Sequence, residues 1–378
     1  MNQHRRVCAT INLDAVTENF VQMKNNLKSG TRIIAIVKAD GYGHGAIPIA
    51  RMVEPYDYIW GFGVATVEEA IILRESGIMK PILLLSFTFP EYYDDIVKYD
   101  LQPTVFKLSM AKELSEAAVG QKKTVSVHIA VDTGMSRVGF ADEQDSIPVI
   151  GAIEKLSNVK MEGVFTHFAR ADEKDKAPAL VQLDRFESFL KRLEEAGIHI
   201  PLHHCSNSAG IMQVNEANMD LVRAGISIYG LYPSDEVART PVSLTPVMEL
   251  KSHITYIKTV KKGTPISYGG TYTAPAQMRV ATIPVGYADG YPRSLSNKGY
   301  VLIRGQRAPV VGRICMDQFM ADVSQIPEAA EFDEVTLLGS DGNGTITMEH
   351  LGDVSGRFNY EFACNISKRV PRVYLRKK

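Results

Sequence analysis

The chain has few cysteines. Cys8, Cys205, Cys315 and Cys364 stand far apart, with neither the spacing of a redox pair nor that of a metal knot. A disulfide scaffold is therefore excluded, no metal centre is expected, and reduced thiols in a cytoplasm fit best. Charge of one sign is lacking too: 42 lysines and arginines face 43 aspartates and glutamates, for a formal net charge of −1. Nothing in that balance favours nucleic acid, an anionic membrane or a polycationic partner, so a small molecule is the expected partner. No apolar run is long enough to span a bilayer. The basic opening Met1-Asn2-Gln3-His4-Arg5-Arg6 gives way to alternating residues and not to the apolar core of a signal peptide. Low-complexity tracts and repeats beyond a strand-helix alternation are missing as well.

What is present suffices for a large core: 378 residues, 45% of them hydrophobic, leave room for two domains. Eight short apolar runs recur with helix-like segments between them: 32–37, 61–64, 81–85, 101–105, 125–131, 160–166, 202–205 and 226–229. Thr66 with Glu69 forms a capping box ahead of Ala70-Ile71-Ile72-Leu73, and Gly77 follows as a stop. Another helix is expected over 179–196, closed by Gly197. Such alternation argues for a parallel sheet, and eight strands favour a closed barrel over an open doubly wound sheet. After Thr240-Pro241 the pattern changes to period-two runs such as 253–257, 279–283 and 300–303, separated by glycine and proline turns. The expected fold is α/β: an N-terminal (β/α)8 barrel of the TIM type over 10–239, then a mostly β C-terminal domain over 240–378, joined by the segment 1–9.

In a barrel the chemistry sits where strands end and the following loops begin. Lys38 ends the first run and faces the loop Ala39-Asp40-Gly41-Tyr42-Gly43-His44-Gly45, so a desolvated amine there can form a Schiff base. A lysine that merely snorkels out of a strand end is the plainer alternative. Asp132 to Arg137 follows the fifth run, Thr166-His167-Phe168 ends the sixth, Ser206-Asn207-Ser208 ends the seventh, and Arg223-Ala224-Gly225-Ile226 leads into the eighth. Each alone has a structural reading, His167 as a core imidazole and Ser208 as part of a helix cap. Together at one end they point to a site.

These blocks, with Ser267-Tyr268-Gly269, Gly286-Tyr287-Ala288-Asp289-Gly290 and Gly312-Arg313-Ile314-Cys315-Met316-Asp317 in the β-rich part, make the chain resemble the alanine racemases over nearly its whole length. The resemblance implies that Lys38 carries pyridoxal 5'-phosphate. It implies too that Tyr42, Ser208, Tyr360 and the backbone N–H groups of Gly225 and Ile226 hold the phosphate. Arg223 would sit at the pyridine nitrogen, with His167 linking it to Tyr268. Lys38 and Tyr268 would be the two bases that racemisation requires, Tyr268 coming from the second subunit of a homodimer with shared active sites. Arg137 and the Met316 backbone would bind the substrate carboxylate, while Tyr287, Tyr360 and Asp317 shape a narrow entrance suited to a methyl side chain.

One position departs from the family. Many members have a lysine seven residues before the carboxylate-binding arginine, where this chain has Ala130; a bound anion such as chloride, or ordered water, is expected to orient Arg137 instead. The implied function is cytoplasmic interconversion of L- and D-alanine, supplying D-alanine for peptidoglycan. A serine, lysine or broad-specificity racemase shares every motif. A non-catalytic pyridoxal-phosphate carrier would need only Lys38 and the phosphate site.

Overall fold

Apolar runs of four to eight residues, buried on both faces, are what a parallel barrel demands, since one face meets the barrel interior and the other the surrounding helices. The computed structural model describes residues 5–240 and 242–376; Met1 to His4 of the basic opening and Pro241 of the boundary lie outside them. The eight barrel strands, in chain order, are Arg32–Ile36, Ile59–Val64, Ile82–Leu84, Gln102–Val105, Val125–Asp132, Val159–Phe165, Leu202–His204 and Leu221–Ala224. They lie side by side, with the eighth next to the first, and every ladder among them is parallel. Between seventh and eighth the ring is drawn together by the Arg223 N–H, which donates to the Ser206 carbonyl at 2.9 Å. The expected barrel followed by a mostly β part is the architecture observed.

Helices separate the strands as the capping signals indicate. Thr66 caps Val67–Glu75 in a full capping box, and Gly77 follows in the left-handed region at φ 93°. The helix Ala177–Glu195 ends ahead of Gly197, also left-handed at φ 77°. One expectation is corrected: Ile226–Tyr229 is a 3-10 turn, and the eighth strand is Leu221–Ala224, so Arg223 lies within the strand and does not lead into it. Four buried apolar residues fit a strand and a buried turn equally well, and periodicity cannot separate them.

The chain folds into two compact units. One comprises Ala15–Gly41 and Ala46–Pro246 and holds the barrel; the other comprises the described residues up to Asp14, Tyr42–Gly45 and the chain from Val247 onward. In the second unit a sheet runs in the order Gln306–Pro309, Tyr300–Ile303, Glu334–Asp341, Met248–His253, Val7–Asn12, Arg372–Leu375. A smaller sheet joins Tyr256–Val260, Met278–Ile283 and Phe319–Asp322. The run expected at 253–257 is divided between two strands, which end at His253 and restart at Tyr256. Among the described residues no helix is long and apolar enough to cross a membrane.

Candidate active site

Lys38 follows the first strand and opens a tight reversal in which Ala39, Asp40 and Tyr42 all adopt positive φ, at 52°, 50° and 51°. L residues avoid that region, so three in one loop mark a conformation held by its surroundings. Two carboxylates hold it: the Ala39 N–H donates to Glu69 Oε1 at 2.6 Å, and the Ala46 N–H to Asp40 Oδ1 at 2.9 Å. The strand end is pinned by the Tyr229 hydroxyl, which donates to the Ile36 carbonyl at 2.9 Å.

The loop after the fifth strand folds around one carboxylate. Asp132 Oδ1 accepts the N–H groups of Gly134, Met135 and Ser136 at 2.9 to 3.0 Å, which leaves Arg137 exposed beyond the turn. Its guanidinium makes no ion pair or hydrogen bond with the described residues. Gln182 then ties this loop to the next: its Nε2 donates to Thr133 Oγ1 at 3.3 Å and to the His167 carbonyl at 3.1 Å.

Arg223 is 3% exposed and forms the centre of the barrel's polar cluster. Its Nη1 donates to His204 Nδ1 at 2.6 Å and to the His204 carbonyl at 3.2 Å. Its Nη2 donates to the carbonyls of Thr166 and Cys205 at 2.7 and 2.8 Å and reaches His167 Nδ1 at 3.2 Å. All these acceptors are neutral. Burial pulls the guanidinium down to about 10, so it stays charged at neutral pH. Burial, followed by the charges of Arg223, Arg137 and Lys38, holds His167 well below the ordinary imidazole value. Four of the five guanidinium N–H groups are thus engaged, and the Nε–H has no acceptor among the described residues.

Beside it, Ser208 Oγ receives the Gly225 N–H at 2.9 Å and lies 2.9 Å from Ser227 Oγ; Ile226 opens the 3-10 turn that follows. Hydroxyls and backbone N–H groups gathered after the last two strands are suited to a phosphate.

The remaining expected site residues belong to the second unit. Tyr42 packs edge-on against Tyr360 with ring centroids 6.2 Å apart, and burial pushes its phenol up. Tyr268 sits in a 3-10 turn between the short paired strands Pro265–Ile266 and Tyr272–Thr273; Ser267 before it has φ 63° and donates through Oγ to the Arg313 carbonyl at 2.6 Å. The N–H groups of Tyr287 and Ala288 donate to the carbonyls of Cys315 and Met316 at 3.1 and 3.0 Å, which joins the two loops carrying Tyr287, Met316 and Asp317. Asp317 in turn accepts from Arg369 Nη2 at 2.8 Å. Tyr268, Tyr287 and Met316 are 70%, 43% and 52% exposed, a good deal for side chains of this size.

Sequence reasoning missed several contributors. Glu69 reads as a helix cap, yet its other oxygen supports the Lys38 loop. His204 and Gln182 carry no motif at all, and only their partners in space mark them. At the far end of the barrel a cleft of about 980 Å³ is lined by Thr31, Pro201 and Asp220, which precede strands, and it includes none of the expected site residues.

Two family models match the chain, "Alanine racemase, N-terminal domain" over residues 11–233 and "Alanine racemase, C-terminal domain" over residues 247–374. An alanine racemase of Desulforamulus reducens is 45% identical, covering 98% of this chain and 99% of its own. One from Methanococcus maripaludis is 42% identical, covering 98% of each. Among solved structures, alanine racemase of Clostridium difficile superposes with a TM-score of 0.93 at 41% identity, covering 98% of this chain and 96% of its own. That of Bacillus anthracis with bound L-Ala-P gives 0.92 at 34%, covering 100% and 96%. The chain belongs to the alanine racemase family.

Proposed function

We propose that this chain interconverts L-alanine and D-alanine by proton transfer between two bases, with pyridoxal 5'-phosphate as cofactor and with sites shared across a homodimer, and that it supplies D-alanine for peptidoglycan in the cytoplasm. Relatives of that name at 41 to 46% identity over nearly the full length support alanine as substrate. The residues present fit the cofactor: the Ser208 and Ser227 hydroxyls and the Gly225 and Ile226 N–H groups suit its phosphate, and Tyr42 and Tyr360 are assigned to the same group. When bound, pyridoxal phosphate would hold the substrate amine covalently and withdraw electrons from Cα, which makes the Cα proton removable.

The observation that carries the reading is Arg223. A guanidinium only donates; directed at the pyridine nitrogen through its Nε–H, it would leave that nitrogen unprotonated, which favours return of the proton to Cα over side reactions. Lys38 would hold the cofactor and, with its amine free, would take or give the proton on one face. Tyr268 of the partner subunit serves the other face, and the exposure of Tyr268 and Met316 in a single chain supports a surface that a second chain covers. His167, its Nδ1 occupied by Arg223, presents an Nε2–H that can hold the Tyr268 oxygen. Arg137 and the partner's Met316 backbone hold the substrate carboxylate, and Tyr287 and Asp317 narrow the entrance. An anion or ordered water beside Ala130 would orient Arg137.

The test is incubation of the purified protein, loaded with pyridoxal phosphate, with L-alanine in deuterated water, following chirality by circular dichroism and Cα–H exchange by NMR. Inversion with deuterium entry is expected. Bound cofactor with neither exchange nor inversion would remove the alanine assignment and leave another amino acid or a carrier role.

A further inference from the structure

Gly163 and His128 are register partners on the sixth and fifth barrel strands, and the glycine makes room: a Cβ there would stand 2.3 Å from His128 Nδ1. The missing side chain lets His128 reach past the sixth strand to His204 on the seventh, Nδ1 to Nε2 at 2.9 Å. On its other edge His128 Nε2 lies 3.1 Å from Gln102 Oε1, and Gln102 Nε2 lies 3.4 Å from Glu162 Oε2. Phe165 stacks on His204 at 4.8 Å and Trp60 lies edge-on to His128 at 5.4 Å, so neither buried ring is free to turn.

The proton positions follow from one fact, that a guanidinium has no lone pair. Arg223 Nη1 must donate to His204 Nδ1, so the His204 proton is on Nε2. That proton must go to His128 Nδ1, which places the His128 proton on Nε2, facing an acceptor. Gln102 therefore turns its carbonyl to His128 and its NH2 to Glu162. Flipping the amide or either tautomer sets two donors, or two acceptors, face to face.

We propose that Arg223, His204, His128, Gln102 and Glu162 form a one-way hydrogen-bond relay linking the active-site guanidinium to a carboxylate on the sixth strand, which makes His128 and Gln102 positioning residues for racemisation. Arg223 contacts no carboxylate among the described residues, so it relies on dipoles aimed at it. The relay fixes one of them, the His204 lone pair, and bonds that all run the same way polarise one another. Burial, and after it the Arg223 charge, disfavours imidazolium at both histidines, in keeping with two neutral rings.

The role in turnover rests on the racemase reading; the tautomers do not. In the unaltered protein loaded with pyridoxal phosphate, 15N NMR of labelled histidine should show both rings neutral and protonated at Nε2, the pair being identified by coupling across their shared hydrogen bond. Protonation at Nδ1 in His128 or His204, or imidazolium at neutral pH in either, overturns the relay. Gln102→Leu keeps the volume but removes both the acceptor for His128 and the donor to Glu162; it should lower kcat about ten-fold with little change in KM and shift the absorption band of the bound cofactor, whereas Glu162→Gln, which still accepts from the Gln102 NH2, should keep most of kcat. Wild-type kcat and spectrum in a folded Gln102→Leu protein would reduce these residues to packing and overturn the positioning role. Absence of racemisation in the unaltered protein would overturn the racemase reading alone, and the tautomers would still decide the relay.

Discussion

Arg223 and His167 meet at 3.2 Å between Nη2 and Nδ1, and that bond can run only from the guanidinium to the ring. His167 is thereby fixed with its proton on Nε2. One cation sets the tautomer of two histidines, His167 and His204, from its two terminal nitrogens. Replacing it with Arg223→Lys leaves three donors for five acceptors, two of them imidazoles. We expect kcat/KM to fall at least about 100-fold in both directions, read by steady-state kinetics, with the cofactor still attached.

Gly163→Ala drives a methyl group into the His128 ring, which its hydrogen bonds and Trp60 hold in place. Overpacking of this kind costs about 1 to 3 kcal/mol. Gly120, at the end of the helix Leu108–Gly120, has open space where its Cβ would be. Gly120→Ala should instead stabilise by about 0.5 kcal/mol. Denaturant midpoints of the two variants should move in opposite directions.

Acid stability should depend on the buried imidazoles. Burial, then the Arg223 charge, lowers His128 to about 3 and holds His167 and His204 well below the ordinary value. The unfolded chain protonates each below about 6.5 and the folded chain does not, so stability is full above that pH and falls as the pH drops toward the folded values. Each ring contributes up to about 1.4 kcal/mol per pH unit in that window. Unfolding midpoints measured between neutral pH and pH about 4 should decline, and His128→Gln should flatten the decline by one proton's share.

Arg6 pairs with Asp289, whose side chain is 1% exposed, through two bonds of 2.7 and 2.9 Å. Asp289 also accepts the Gly286 N–H at 3.1 Å and so closes the loop that carries Tyr287. Arg6→Ala strands a buried carboxylate, with Arg369 3.7 Å away as a partial substitute. Because Arg6 is itself partly exposed, the loss should be about 2 kcal/mol, less than a fully buried pair would show. A raised KM for alanine with kcat less affected would tie the pair to the entrance loop.

If Tyr268 acts in the partner's site, inactive Lys38→Ala and Tyr268→Phe subunits should restore some activity when mixed, because hybrid dimers contain one intact site. No recovery after verified subunit exchange would mean that each site is built within one chain.

Much of this was legible in the chain itself. The barrel follows from apolar runs spaced by helices, the capping box from Thr66 and Glu69, and the family from the blocks around Lys38, Arg137, Arg223, Tyr268 and Met316. Those signals are local: a strand, a cap or a motif is written in consecutive residues. The eighth strand is not legible in this way: Leu221–Ala224 contains a charged residue and Ile226–Tyr229 does not, so apolar character favours the second segment although both are buried. Arg223 fits in a strand only because carbonyls and imidazoles from neighbouring strands receive it.

The sequence by itself determined which residue types stand at the strand ends and so the chemistry available to the chain. The tertiary structure alone decided which lone pair faces which proton. Gly163, His128, His204 and Gln102 lie on four different strands, and no spacing along the chain signals that they meet. Their meeting depends on the barrel register, which puts a glycine beside a histidine and opens the gap through which two imidazoles touch.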